Sequence, residues 1–354
     1  MSVLHADPPS PPTFDCVPQA FRVRVIYRDS AGRIHLDYSV DRIKEAVGDA
    51  GGTVWVDIED PGSKDNVSAE RLLKDVFGFH PLAIEDALKE THVPRVDDWD
   101  SYLYLVFHSI DFDPKTDHIR LHELDIFLGT NYLVTYHTEA LTFLEQDRRN
   151  IERDASNQLC RGPDFLLYYF LDTAVAEYLP AIEHLDDAID DAQEEVFDRP
   201  TPKTLQAIFR VKRSAMRLHR VLAPEREMLN RLARDTYRPI DQEHRVYFRD
   251  VYDHTVRVLD LTESLRDLIS GALDTYLSAV SNRTNDIMKM LTLVTVMFLP
   301  MSFLSGFFGM NFFGETLSFQ TAMPKATMFT VTCLIMVTSF WAPWVWAWRR
   351  GWFS

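Results

Sequence analysis

Two uncharged apolar runs near the C-terminal end constrain this chain more than any other feature. Residues 290–314 and 326–348 contain no Asp, Glu, Lys or Arg. Each run exceeds the roughly 20 residues that a helix needs to cross the hydrocarbon core of a bilayer. Transmembrane helices are therefore expected over 287–310 and 324–348, joined by an external loop over 311–323. Arg283 and Lys289 precede the first run, and Arg349 and Arg350 follow the second. The loop carries Glu315 and no basic residue. By the positive-inside rule, both ends of the chain face the cytoplasm and the loop faces outward, with Lys325 as the one dissenting charge. The aromatic residues at Phe312–Phe313 and between Trp341 and Trp352 suit the two interfacial belts.

Everything before Lys289 is rich in charge and reads as a water-soluble body. The net charge of −16, from 53 acidic against 37 basic residues, argues against a nucleic-acid partner and leaves cationic partners open. The same charge also serves plain solubility. Residues 1–20 hold several prolines and no apolar core, so they are expected to form a disordered lead-in and not a cleaved signal peptide. Cys16, Cys160 and Cys333 are too few and too scattered for a disulfide framework or a thiolate metal site, which fits a reducing compartment.

Within the body, short runs rich in β-branched and aromatic residues at 21–27, 53–58, 102–110, 124–128 and 132–136 predict strands. Helical spacing at 40–47, 69–77 and 81–89 lies between them, with capping side chains in Ser63-Lys-Asp-Asn66. Residues 21–160 are thus expected to form a cytoplasmic α/β domain. From Asp164 the strand signals stop. One helix is expected from there to Val196, the turn Asp198-Arg-Pro-Thr-Pro follows, and a second runs from Thr204 to about Leu232. Residues 161–240 then form an antiparallel hairpin. Its first arm is acidic (Glu183, Asp186, Asp187, Asp190, Asp191, Glu194, Glu195) and its second is basic (Arg210, Lys212, Arg213, Arg217, Arg220). That contrast fits either a cation store or two complementary solvated faces. A third helix starts near Glu243 and meets no proline before Pro300. Its soluble part, 241–286, is a stalk that needs partners along its length, which points to a bundle of identical chains. Residues 349–354 are left as a cytoplasmic tail.

One face of this third helix is polar where lipid would want it apolar. Asp274, Ser281, Asn285, Met288, Thr292, Thr295, Leu299, Ser302 and Gly306 recur at alternating spacings of about three and four. Polar residues inside a bilayer face a bundle interior or a water-filled path, although small and hydroxyl residues also pack helix interfaces. If the stripe lines a path in an oligomer, Met288, Leu291 and Leu299 form apolar constrictions able to close it by dewetting. Pro300 removes a backbone hydrogen bond close to that point.

Phe308-Gly309-Met310-Asn311 at the outer end of this helix resembles the Gly-Met-Asn signature of the CorA family of magnesium channels. Ser281-Asn-Arg-Thr-Asn-Asp-Ile-Met288 and Leu299-Pro-Met-Ser302 extend the resemblance. So do His80-Pro-Leu-Ala-Ile-Glu-Asp86 and Tyr247-Phe-Arg-Asp-Val-Tyr-Asp-His254 in the body. The resemblance implies a funnel-shaped homopentamer in the inner (plasma) membrane, with an α/β domain, a stalk and two C-terminal membrane helices. It implies an external mouth made by Gly309, Met310 and Asn311. Deeper along the pore it implies a neutral ring at Asn285, with Thr295 and Ser302 on the same path and a further ring at Asp274. Neutral oxygens suit Mg2+, which gives up its water reluctantly. The resemblance also implies that Glu85, Asp86, Asp172 and Asp250 hold regulatory Mg2+ between subunits, closing the gate when that ion is abundant. The loop after Asn311 carries one acid, where many members have an acidic, proline-containing segment. Within the same plan Co2+, Ni2+ or Zn2+ is the alternative cargo, though no His or Cys lies on the stripe. A membrane-anchored coiled-coil sensor is the rival from another class. An enzyme is not expected: His80, His92, His108, His118, His122 and His137 show no HExxH spacing, and no phosphate loop or nucleophile elbow is present.

Overall fold

The computed structural model describes residues 21–61, 67–89, 93–154, 158–309 and 325–350. The capping segment at Ser63, and Met310 and Asn311 of the signature, lie outside these residues. The chain divides into two compact units, residues 1–192 with 202–272, and residues 193–201 with 273–354.

The first unit is organised by strand pairing. Seven strands, β1 (Arg22–Arg28), β2 (Ile34–His35), β3 (Thr53–Glu59), β4 (Arg95–Asp98), β5 (Leu103–Asp113), β6 (His118–Leu128) and β7 (Tyr132–His137), form one sheet in the order β2-β1-β3-β7-β6-β5-β4. β5, β6 and β7 follow one another through short turns and pair antiparallel. β3 and β7 pair in parallel at the centre, with Val54 opposite Tyr132 and Glu59 opposite His137. All seven residues of β3 are buried, so both faces of the sheet are covered.

Alternation along β3 assigns those faces. Val54, Val56 and Ile58 join one apolar cluster with Ile43 of α1 (Ile43–Gly48), Leu73 in the π-helical turn that follows α2 (Val67–Arg71), and Ile84 of α3 (Pro81–Lys89). Phe79 stacks on Phe127 there, with ring centroids 4.2 Å apart. Trp55 and Asp57 point the other way. Trp55 meets Phe170 of α5 (Pro163–Ala176) at 4.8 Å, and Arg148 of α4 (Thr142–Arg153) lies 4.7 Å over its ring. Asp57 is fully enclosed and takes hydrogen bonds from Thr135 Oγ1 at 2.7 Å and Arg24 Nη2 at 3.1 Å, with His137 Nε2 3.1 Å away. Burial alone would raise the Asp57 carboxyl, but His137, Arg148 and Arg24 hold it far below the ordinary range.

The helices depart from expectation at one informative place. Residues 164–196 form α5 and a separate α6 (Tyr178–Asp198), divided at Glu177. Pro180 cannot donate to the Ala176 carbonyl and its ring crowds that carbonyl, so the first helix stops there. α7 (Pro202–Arg234) closes the hairpin against the sheet. Its buried Glu225 accepts the His108 N–H at 3.0 Å, and the Tyr178 hydroxyl lies 3.3 Å away while donating to the His108 carbonyl at 2.9 Å. Burial keeps Glu225 protonated well above the usual carboxylate range. Strands β2 and β4, helix α4 and the first half of β6 were not expected from the sequence.

Among the described residues, two helical stretches are long and apolar enough to cross a membrane, residues 163–198 and 245–303. The apolar window of the first is 56% buried and that of the second only 11%. The first is therefore a core element of the body. The second belongs to α8 (Arg245–Gly309), a continuous helix of 65 residues, roughly 100 Å long at 1.5 Å per residue. In the second unit, Leu293 and Met297 of α8 pack on Ala347 and Phe340 of α9 (Lys325–Arg349).

Candidate functional site

The second unit sorts α8 into faces. Leu293 and Met297 are buried against α9. At about 100° per residue, Met288, Thr292, Thr295, Leu299 and Ser302 lie roughly 180–260° around the helix from Leu293. Asn285 and Leu291 flank that arc. The polar stripe is therefore turned away from α9, and every one of these residues is exposed. Met288, Leu291 and Leu299 are 60%, 63% and 63% exposed, so most of each apolar side chain is uncovered. Asn285, Met288 and Thr292 line one concave surface with Asn282, Asp286 and Lys289.

The threonine hydroxyls on the stripe are already anchored. Thr292 Oγ1 donates to the Met288 carbonyl at 2.8 Å, and Thr295 Oγ1 donates to the Leu291 carbonyl at 2.9 Å. Each donor is thereby used up, and what the threonines present outward is an oxygen acceptor. Hydrated cations offer hydrogen-bond donors, so acceptor-only oxygens match them. Asp274 is exposed on α8 before this segment. Gly309 is the last residue of the helix.

The four carboxylates expected to hold regulatory cations fall into two groups. Glu85 pairs with Lys89 one turn along α3, and Asp86 pairs with Arg95. The Lys89 ammonium lowers the Glu85 carboxyl, but the pair is exposed and screened. Asp172 and Asp250 do converge. Their carboxylates and the ring of His254 offer three ligand atoms within 4.8 Å of one another. His254 Nδ1 is 3.2 Å from Asp172 Oδ1, and His254 Nε2 is 4.0 Å from Asp250 Oδ1. Two carboxylates and one imidazole fit a divalent cation that keeps several waters, and the nitrogen extends that fit toward Co2+. His254 was missed as a candidate ligand in the sequence, although its spacing of four from Asp250 puts both on one helix face.

A second trio, Asp164, Asp241 and His244, has similar spacing but a different use. Asp164 Oδ1 accepts the Phe165 N–H at 2.9 Å. Its Oδ2 accepts the Asp241 N–H at 2.9 Å and lies 2.8 Å from His244 Nδ1. Asp164 is thereby committed to fastening the start of α5 to the segment before α8.

Comparison with known proteins agrees with this layout. A family profile described as CorA-like Mg2+ transporter protein matches residues 50–349. The chain is 32% identical over 296 residues to the cobalt/magnesium transport protein CorA of Thermotoga maritima, covering 81% of this chain and 84% of that one. It is 25% identical over 261 residues to the cobalt/magnesium transport protein CorA of Methanocaldococcus jannaschii, covering 73% and 80%. Among solved structures, the complete CorA magnesium transporter from Methanocaldococcus jannaschii superposes with a TM-score of 0.75 at 22% identity, over 93% of this chain and 98% of that one. Full-length CmaX superposes with a TM-score of 0.67 at 23% identity, over 93% and 96%. A profile that spans most of the sequence and a relative aligned over 81% of it place the chain in one family: it belongs to the CorA-like Mg2+ transporter proteins.

Proposed function

We propose that this chain assembles as a homopentamer in the inner membrane and conducts divalent cations, Mg2+ first, along an axis lined by α8. The observation that carries the reading is the polar stripe turned away from α9. α9 covers the Leu293–Met297 face, so the stripe is free to meet its copies around an axis. α8 and α9 then cross the bilayer over 287–310 and 324–348, with both termini cytoplasmic. The exposed apolar residues of α9, among them Leu334, Val337, Trp341 and Trp348, support a lipid-facing outer ring.

In this reading Gly309, Met310 and Asn311 form the external mouth, and Asn285, Thr295 and Ser302 continue a path of neutral oxygens. Such oxygens hold a hydrated Mg2+ without stripping its shell, so the ion enters and also leaves. Met288, Leu291 and Leu299 constrict the path, and Asp274 adds a carboxylate ring below it. Cytoplasmic Mg2+ held by Asp172 and Asp250 of one subunit, with Glu85 and Asp86 contributed across an interface, neutralises facing acids and favours the closed ring. Loss of the ion restores repulsion and shifts the population toward the open state. Co2+ is a second cargo in this reading, supported by the name of the Thermotoga maritima relative.

Purified protein in liposomes loaded with a magnesium-sensitive dye tests the proposal. Mg2+ entry that vanishes in Asn311→Ala supports the pore and its mouth. Entry of Zn2+ without Mg2+ would reassign the cargo. No divalent flux through verified oligomers would favour an anchored sensor.

A further inference from the structure

The chain carries a large excess of acid, yet the charged side chains lining one concavity in the first unit are all basic. Lys212, Met216, His219 and Arg220 of α7 and Arg266, Ile269 and Ser270 of α8 surround a cavity of about 510 Å3. Positions 212, 216 and 220 recur every four residues, so α7 presents them on one face. No carboxylate lines the cavity. Lys212, Arg220 and Arg266 have no ion-pair partner among the described residues. Glu263 lies 3.9 Å from His219 Nε2, at the edge of this lining. Three like charges gathered without a counter-charge repel one another, and the arrangement is relieved by an anion that bridges them.

The lining also indicates the shape of that anion. Two guanidinium forks and one ammonium match several phosphate oxygens better than a single small anion. Met216, 51% exposed, and the buried Ile269 add an apolar shelf beside the charges, suited to a ring. The cavity lies within the roughly 300–1,000 Å3 typical of small-molecule sites. We propose that this cavity binds a nucleoside triphosphate, with Lys212, Arg220 and Arg266 on the phosphate chain and Met216 and Ile269 against the base. His219 and the Ser270 hydroxyl complete the rim. This site is separate from the ion path and from the Asp172–Asp250–His254 cluster, and its occupancy does not require that ions pass.

Isothermal titration of the purified full-length protein in detergent with magnesium-free ATP tests the assignment. Saturable binding is expected, with tripolyphosphate competing and inorganic phosphate competing only weakly. Arg220→Gln combined with Arg266→Gln should weaken ATP binding about tenfold or more, the scale of losing charge-assisted phosphate contacts. Lys212→Arg should retain binding. Arg213→Gln, an exposed base outside the cavity, should leave it unchanged. An unaltered melting temperature and oligomer size in each variant guard against misfolding. The proposal is overturned by absence of saturable ATP binding, by equal weakening in Arg213→Gln, or by a cavity that engages anionic-lipid vesicles while ignoring ATP.

Discussion

The two units treat polar groups in opposite ways. In the first, charges lie inside and are matched: Asp57 is enclosed by Arg24, His137 and Arg148, and Glu225 is enclosed as a neutral acid held by His108 and Tyr178. In the second, Asn285, Thr295 and Ser302 sit in a stripe on the outside, while large apolar residues are exposed on the remaining faces. Water explains the first pattern, because a buried charge must recover from its partners what it loses in solvation. The proposed bilayer setting with a wet axis would account for the second, because apolar surface then needs no cover and polar surface needs its own kind. Exposure therefore means different things in the two halves of one chain.

The sharpest way to break the comparison is to unmatch the interior. Asp57→Ala leaves Arg24, Arg148 and His137 without their shared counter-charge. It should lower stability by about 3–5 kcal/mol, the cost of stranding a buried charge. Thermal or denaturant unfolding followed by circular dichroism reads this directly, and a loss no larger than that of a surface substitution would refute the account of the network.

Asp147 offers a titration of the same principle. Burial pushes its carboxyl up to about 7, helped by the nearby charges of Glu177 and Asp172 and opposed by the Thr173 and Tyr169 hydroxyls. Between about pH 4 and 7 the folded protein holds this proton and the unfolded chain does not, so stability falls as pH rises through that window. The full change is roughly 4 kcal/mol at about 1.4 kcal/mol per pH unit. Asp147→Asn should reduce that slope, to which the raised carboxyls of Glu177 and Glu225 also contribute, measured as melting temperature against pH. An unchanged slope would mean that another group carries it.

The stripe should behave conversely. Thr295→Val with Asn285→Leu is expected to cut Mg2+ flux about tenfold or more by removing oxygens along the path, while unfolding of the monomer changes little. A large stability loss with intact flux would make the stripe a packing face instead. The smallest expected effect joins the two halves of the argument. Mg2+ bound at Asp172 and Asp250 neutralises one of the charges acting on Asp147, so saturating Mg2+ should shift the Asp147 transition toward lower pH. No shift would disconnect that cluster from the ion.

Much of this was legible in the sequence, and the failures have physical causes. The central strands announce themselves because both faces are buried and their residues are uniformly apolar or β-branched. Strand β6 was read only from Leu124, since His118-Ile-Arg-Leu-His-Glu alternates toward solvent and looks like loop. Helix α4 was invisible because it buries Asp147 and Arg148 along with Phe143 and Leu144, and pairing partners cannot be seen from one segment. The break at Glu177 was available in Pro180 but was outweighed by the apolar run around it. Asp172 and Asp250 came from resemblance. His254 beside them needed the fold, because Asp172 is 82 residues away in sequence.

The parallel pairing of β3 with β7 sets a timetable for synthesis. The sheet cannot close at its centre until Tyr132–His137 has left the ribosome. The first uncharged apolar run starts about 150 residues later, which at 5–20 residues per second is on the order of 10–30 s. The body therefore has time to complete its sheet before the apolar segment emerges. An insertion that delayed β7 beyond that interval would expose unpaired strand edges while the chain is being delivered to the membrane.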